Sequence, residues 1–179
     1  LLRRYYYLNW FAGFTLTRIK QASFNLIKSI KAKKGIAEIE TELEKSLADN
    51  QTIKRAKERL RGDIYYDSWC KPLLFLIEYE QQDRPHFYAF DDKNIHVEHI
   101  LPRAFESHDE WSSIHGDDDL RSRINTGANL TLLSGAKNMA ASISGFAKKM
   151  TAYTGTGLHS VSDEKVSSFK ITQKIVDDH

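Results

Sequence analysis

Apolar residues recur at helical spacing through most of the N-terminal half of the chain. Leu16, Ile19, Leu26 or Ile27, and Ile30 share one helical face. Ile36, Ile39, Leu43 and Leu47 repeat the stripe, with Glu38, Glu40, Glu42 and Glu44 among the other positions. Gly13 followed by Thr15 predicts a break and a fresh N-cap, and Gly35 predicts the end of the helix begun there. Asp49-Asn50 marks the next stop, and Gly62-Asp63 closes a short basic helix carrying Ile53, Ala56 and Leu60. A strongly apolar helix follows, with Trp69, Leu73, Leu76 and Ile77 on one side and Leu74 and Phe75 broadening the buried face. Pro72 is expected in its first turn, where the missing N–H has no intrahelical partner to lose.

From Gln81 the pattern changes. Gln81 to Pro85 reads as a connector, and Asn94-Ile95-His96-Val97-Glu98-His99-Ile100-Leu101-Pro102 as a short strand rich in β-branched residues and closed by proline. Residues 103 to 126 are polar and predict short helices and loop. Asn129 to Leu133 reads as a second strand, and Ala136 to Tyr153 as a helix interrupted or bent near Gly145. Thr154-Gly155-Thr156-Gly157 is a loop too short and wrongly placed to cradle phosphate. The expected organisation is a helical subdomain over 1–82 and a second unit over 83–179. A regular strand sends Glu98 and His99 to opposite faces, so for both to serve one site the strand must end or twist at about Glu98.

Composition adds limits. A chain of 179 residues with 41% hydrophobic and 11% aromatic residues can bury one core, or a helical subdomain joined to a small second one. No apolar run approaches the length of a membrane span. The net charge of +2 does not mark a nucleic-acid binder, and the run Arg18, Lys20, Lys28, Lys31, Lys33, Lys34 and the cluster Lys54, Arg55, Lys57, Arg59, Arg61 read as solvated helix faces. Cys70 is the only cysteine, which excludes an internal disulfide and any zinc knuckle of Cys pairs, and fits a reducing, cytoplasmic setting. The chain opens on Leu1 and closes on an uncapped helix from Ile171, so a fragment of a longer protein is expected.

The candidate chemistry lies in three places. Glu98-His99 ends the first strand, Asn129 opens the second, and Asn138 sits on the helix that follows. Val97-Glu98-His99-Ile100-Leu101-Pro102, then Ala128-Asn129-Leu130-Thr131-Leu132-Leu133-Ser134, then Asn138 with Ser142, Phe146, Lys149 and Tyr153, resembles the HNH (His-Me finger) domain at the C-terminus of GmrSD-type modification-dependent restriction enzymes and related phage-defence nucleases. The resemblance covers about residues 60 to 176 in motif order; the family's usual glycine before the asparagine is Ala128 here, with Gly127 one place earlier.

That resemblance implies an α+β fold, mostly helical with a small ββα-metal core. It implies a metal-dependent DNA endonuclease, cleaving or nicking, of a prokaryotic anti-phage system. His99 would be the general base, with Asn129 orienting its ring through a hydrogen bond. Glu98 and Asn138 would hold Mg²⁺ or Mn²⁺, a hard cation that prefers oxygen ligands and keeps several waters. Double-stranded DNA is the expected partner. Target selection and nucleotide hydrolysis would fall to a missing N-terminal domain or partner, since no P-loop is present. Lys137, Lys148 and Lys149 are candidate phosphate contacts beside the active helix. His96 reads as an exposed or structural residue, His108, His115 and Asp117 to Asp119 as acidic loop surface, Asn125, Ser142 and Ser144 as capping or turn residues, and Phe146 and Tyr153 as core. Two other classes stay open: a nucleic-acid binding or assembly module with a weak or vestigial site, and a nuclease acting on RNA or single strands.

Overall fold

The computed structural model describes residues 1–89, 91–113, 117–155 and 169–178. His115, Gly116, Thr156 and Gly157 lie outside them. The chain forms two compact units, Leu1–Gly62 and Asp63–His179. The division therefore falls at Gly62, before the apolar helix, rather than after it at residue 82.

The first unit is helical: α1 (Leu2–Phe11), α2 (Leu16–Lys31), α3 (Ile36–Asp49) and α4 (Thr52–Leu60). Thr15 caps α2 as its sequence position suggests, its hydroxyl accepting the Arg18 N–H at 3.4 Å. Gly35 has a different role from the one expected. Helix α2 already ends at Lys31, Lys33 takes the left-handed conformation with φ 57°, and Gly35 precedes α3 as its N-cap. Tyr5, Leu43 and Leu47 form the buried core of this unit, with Ile39 and Ala22 packed on it. The basic side chains are partly absorbed locally, Lys34 by Glu38 and Glu42 and Arg18 by the Phe14 ring, 3.9 Å from its centroid.

The second unit begins with α5 (Cys70–Glu80). Its buried residues are Cys70, Pro72, Leu74, Phe75 and Glu78, with Trp69 buried just before it, whereas Ile77 faces solvent. A helix that is apolar nearly all round does not select one face by periodicity: Trp69, Leu74 and Phe75 are buried as expected, Leu73 and Leu76 are half-buried, and only Ile77 of the expected set is exposed. Glu78 lies at the far edge of that buried face, where its Oε2 accepts the Ile171 N–H at 2.9 Å. This carboxylate satisfies an orphan donor at the start of α10 (Lys170–Asp177) and ties the last described helix to α5.

Between them lies the sheet. Strand β1 (Ile95–His99) pairs antiparallel with β2 (Leu130–Ser134), with Ile95 opposite Ser134 and His99 opposite Leu130. The connection carries a 3₁₀ turn at Phe105–Ser107, then α6 (Asp109–Ser112) and α7 (Asp117–Arg123). Phe105, Trp111 and Ile124 bury together there, so the polar stretch folds around a small core of its own. After β2 the chain turns directly into α8 (Gly135–Ala141), and α9 (Phe146–Thr154) follows. The expected bend is a full break: Ser142 has φ 40°, and Gly145 is the N-cap of α9. Gly145 lets the Glu110 carboxylate sit close against the backbone, where its Oε1 accepts the Phe146 N–H at 2.9 Å, and a β-carbon there would push that side chain aside. Leu133, Ala141, Ala152 and Tyr153 pack together and fix α8 and α9 on the sheet. The order strand, strand, helix matches the ββα expectation. Among the described residues no helix is long and apolar enough to cross a membrane.

Candidate active site

The strand β1 delivers two polar side chains at its end. Ladder pairing runs through His99, one residue past the expected stop, and the Ile100 N–H still reaches the Asn129 carbonyl at 2.9 Å. Alternation is obeyed: Glu98 turns to Lys149 on α9, while the His99 ring turns to Tyr65 and Asn125. Both still line one cavity of about 360 Å³, together with Arg103, Asn138, Ser142 and Lys149, because this hollow lies past the strand end and takes walls from either side. The structure thus brings Glu98, His99 and Asn138 together. His96 is exposed on β1 and lines no part of the cavity.

The His99 ring is held from two directions. Its Nε2 lies 3.0 Å from Asn125 Oδ1, and its ring packs on Tyr65 with centroids 4.3 Å apart. Asn125 Nδ2 donates in turn to Asp63 Oδ2 at 2.9 Å, and the Ile64 N–H donates to the Asn125 carbonyl at 3.0 Å. An ionised carboxylate only accepts, so Asp63 obliges the amide to present its NH₂ there and its oxygen to the imidazole. Nε2 then carries the hydrogen. The tautomer so fixed leaves Nδ1 as the basic nitrogen.

Asn129 therefore does not orient the ring. Its side chain spans the exit of β1, accepting the Leu101 N–H at 2.7 Å and donating to the carbonyls of Leu101 at 2.9 Å and Ile124 at 2.8 Å. It clamps the turn that carries the cavity wall, and Asn125 has the ring-positioning role instead. The signal for Asn125 was weak in sequence, since its partner Asp63 lies 62 positions away in the segment before α5.

Two of the three candidate phosphate lysines are structural. Lys149 is fully buried, with Nζ 2.6 Å from Glu98 Oε1 and 2.6 Å from the His99 carbonyl oxygen. Lys137 is buried as well and donates to the Tyr153 carbonyl at 2.6 Å. Only Lys148 is exposed. Burial explains the electrostatics of this corner. It pushes the Glu98 carboxyl above its ordinary range, with Lys149 and the His99 backbone amide pulling the other way, and pushes the Lys149 ammonium down, opposed by Glu98. Burial likewise lowers the His99 imidazole, assisted by the charges of Arg103 and Lys149 and opposed by the hydrogen bond to Asn125. Cys70, buried at the start of α5, has its thiol pushed by burial up to about 12 and is inert.

The donor set fits a hard cation. Glu98 supplies one carboxylate to the cavity, and the Asn138 amide makes no hydrogen bond among the described residues and so keeps its carbonyl available. No three His, Cys, Asp or Glu side chains converge among the described residues. One carboxylate, one amide oxygen and several waters suit Mg²⁺ better than a thiolate or imidazole cage for zinc would.

A family model described as GmrSD restriction endonucleases, C-terminal domain, matches residues 50–179, and the chain belongs to that family. No curated protein and no solved structure matches it.

Proposed function

We propose that this member of the GmrSD restriction endonuclease family is an HNH-type nuclease that hydrolyses a DNA phosphodiester in the cavity past the end of β1. The observation that carries the reading is the convergence of Glu98, His99 and Asn138 on one cavity, with the His99 tautomer set by Asn125 and Asp63. His99 Nδ1 takes a proton from water, the hydroxide oxygen bonds to phosphorus, and the bond from phosphorus to the leaving sugar oxygen breaks as that oxygen gains a proton from solvent. General-base assistance of this kind contributes about 10²- to 10⁴-fold. Glu98 and Asn138 would hold Mg²⁺ or Mn²⁺, which when bound supplies positive charge to the phosphate and the leaving oxygen. The role proposed with this chemistry is restriction of phage DNA in a prokaryotic cytoplasm, with target selection and nucleotide hydrolysis carried by another domain or partner.

The test is incubation with supercoiled plasmid in Mg²⁺ or Mn²⁺, with EDTA and His99→Ala as controls. Nicked or linear product is expected only from the wild type with metal. Cleavage that survives His99→Ala overturns the mechanism. One observation favours a second reading, a DNA-binding module with a weak site: the Lys149 ammonium already balances the Glu98 carboxylate and lessens its pull on a cation. Retained DNA binding without cleavage of modified or unmodified DNA at any metal concentration is the outcome that selects it.

A further inference from the structure

Of the cationic Lys and Arg side chains lining the cavity among the described residues, Lys149 is consumed by Glu98 and Arg103 is not. Arg103 is exposed, and no carboxylate or hydrogen-bond acceptor of the described residues engages it. What holds it is aromatic. Its Cζ lies 5.9 Å from the Tyr65 ring centroid and 5.6 Å from that of Tyr66. Those two rings meet edge to face at 5.0 Å, and Tyr65 itself packs on His99. The Arg103 backbone is equally fixed, since Asn129 pins Leu101 two residues earlier and the Phe105 N–H closes a turn onto the Pro102 carbonyl at 3.0 Å. A pre-positioned guanidinium thus stands beside the base His99 with its donors turned to no acceptor among the described residues. Tyr66, 67% exposed, presents a ring next to it.

We propose, resting on the nuclease reading above, that Arg103 and Tyr66 form the substrate grip of this site, Arg103 taking a backbone phosphate next to the one attacked and Tyr66 stacking on an unpaired base. The fork of guanidinium donors matches phosphate oxygens in pairs, and cation–π contact with tyrosine leaves that fork available. A tyrosine face stacks on any base, but only one that has left the duplex stack. The substrate class is therefore DNA with a single-stranded or locally opened stretch at the cut. This replaces Lys137 and Lys149 as phosphate contacts with a residue from the β1 exit.

The test is equilibrium binding by fluorescence anisotropy, in EDTA so that no cleavage intervenes, of one labelled oligonucleotide as a single strand and as a duplex. Wild type, Arg103→Ala, Arg103→Lys, Tyr66→Ala and Tyr66→Phe are compared in the full chain. Arg103→Ala should weaken single-strand binding about tenfold and reduce its salt slope by about 0.7, with Arg103→Lys recovering the slope and only part of the affinity. Tyr66→Ala should weaken single-strand binding about tenfold, leave the duplex unchanged, and be rescued by Tyr66→Phe. An Arg103→Ala chain with wild-type affinity and slope overturns the grip, as does wild-type protein that binds neither DNA at low salt. Equal losses on both DNAs in Tyr66→Ala overturn the single-strand preference. The two readings fail separately: binding in EDTA by the Arg103 and Tyr66 variants tests the grip alone, and cleavage by His99→Ala in metal, if it survives, counts against the chemistry alone.

Discussion

The Lys149 ammonium donates to Glu98 Oε1 and to the His99 carbonyl, both at 2.6 Å, from a position without solvent exposure. One buried cation on α9 thereby ties down the last two residues of β1 and holds the site against the helix. Removing it leaves a buried carboxylate and a buried carbonyl without their partner. Lys149→Met should destabilise the fold by about 3–5 kcal/mol, the range for breaking one side of a buried pair. Urea denaturation measures it. Adding Glu98→Gln in the same chain should cost less than the sum of the two single changes. A Lys149→Met protein as stable as wild type would show that the pair does not carry this corner.

The contact between His99 Nε2 and Asn125 Oδ1 leads to a different kind of loss. Asn125→Ala frees the ring to rotate and to exchange tautomers while leaving the cavity open to substrate. The turnover rate should fall about 10²-fold, the scale for a misplaced reacting group, with KM nearly unchanged. Asn125→Asp keeps an acceptor on Nε2 and should recover part of that rate. Steady-state kinetics on a plasmid substrate distinguish the two variants, and a KM effect in place of a turnover effect would point to substrate contact for Asn125.

The imidazole supplies the pH dependence. Burial first, and the Arg103 and Lys149 charges second, hold His99 below its usual 6.5, so the neutral, basic form dominates at neutral pH. The acid limb of the rate profile should lie below 6.5, and Arg103→Ala should move it upward by removing one of the opposing charges. Stability follows the same sign. Between the folded value and the unfolded 6.5 the unfolded chain binds a proton that the native chain refuses, so stability is full above 6.5 and declines as pH falls through the folded value. His99→Gln should remove that decline in urea midpoints measured across the window. An acid limb above 6.5 in the wild type would contradict the direction.

The strands and the helix after them were legible because each is local: alternation, a closing proline and short spacings write them into neighbouring residues, whereas the Glu98, His99, Asn138 set was named only by the family resemblance carried in the order of the motifs. Three features were not. Lys149 and Lys137 look like surface charges on an amphipathic helix, and only the long-range contacts to Glu98 and the Tyr153 carbonyl show that both are buried. Asn129 stands at a motif position of the family resemblance, but its side chain is spent on backbone groups of Leu101 and Ile124 that no spacing rule identifies. Asp63, Tyr65 and Tyr66 sit in what reads as a stop signal between helices, yet that segment supplies half of the environment of His99. A residue's partner across the fold decides whether its charge or amide is structural or available, and periodicity holds no information on partners.

The proposed metal ligands have a separable signature. Asn138 projects from α8 into the cavity with an amide that no described residue hydrogen-bonds, so its replacement should not disturb packing. Asn138→Ala is expected to keep the wild-type melting temperature within the scatter of surface changes, about 0.5 kcal/mol in stability. Its activity should require about 10- to 100-fold more Mg²⁺ to reach half-maximum, since one of two protein ligands to a weakly held cation is gone. Asn138→Asp adds a charged oxygen in the same place and should shift the requirement the other way. Titration of cleavage rate against Mg²⁺ concentration reads both, and an Asn138→Ala curve that superimposes on the wild type would remove Asn138 from the site and leave Glu98 as its only protein ligand.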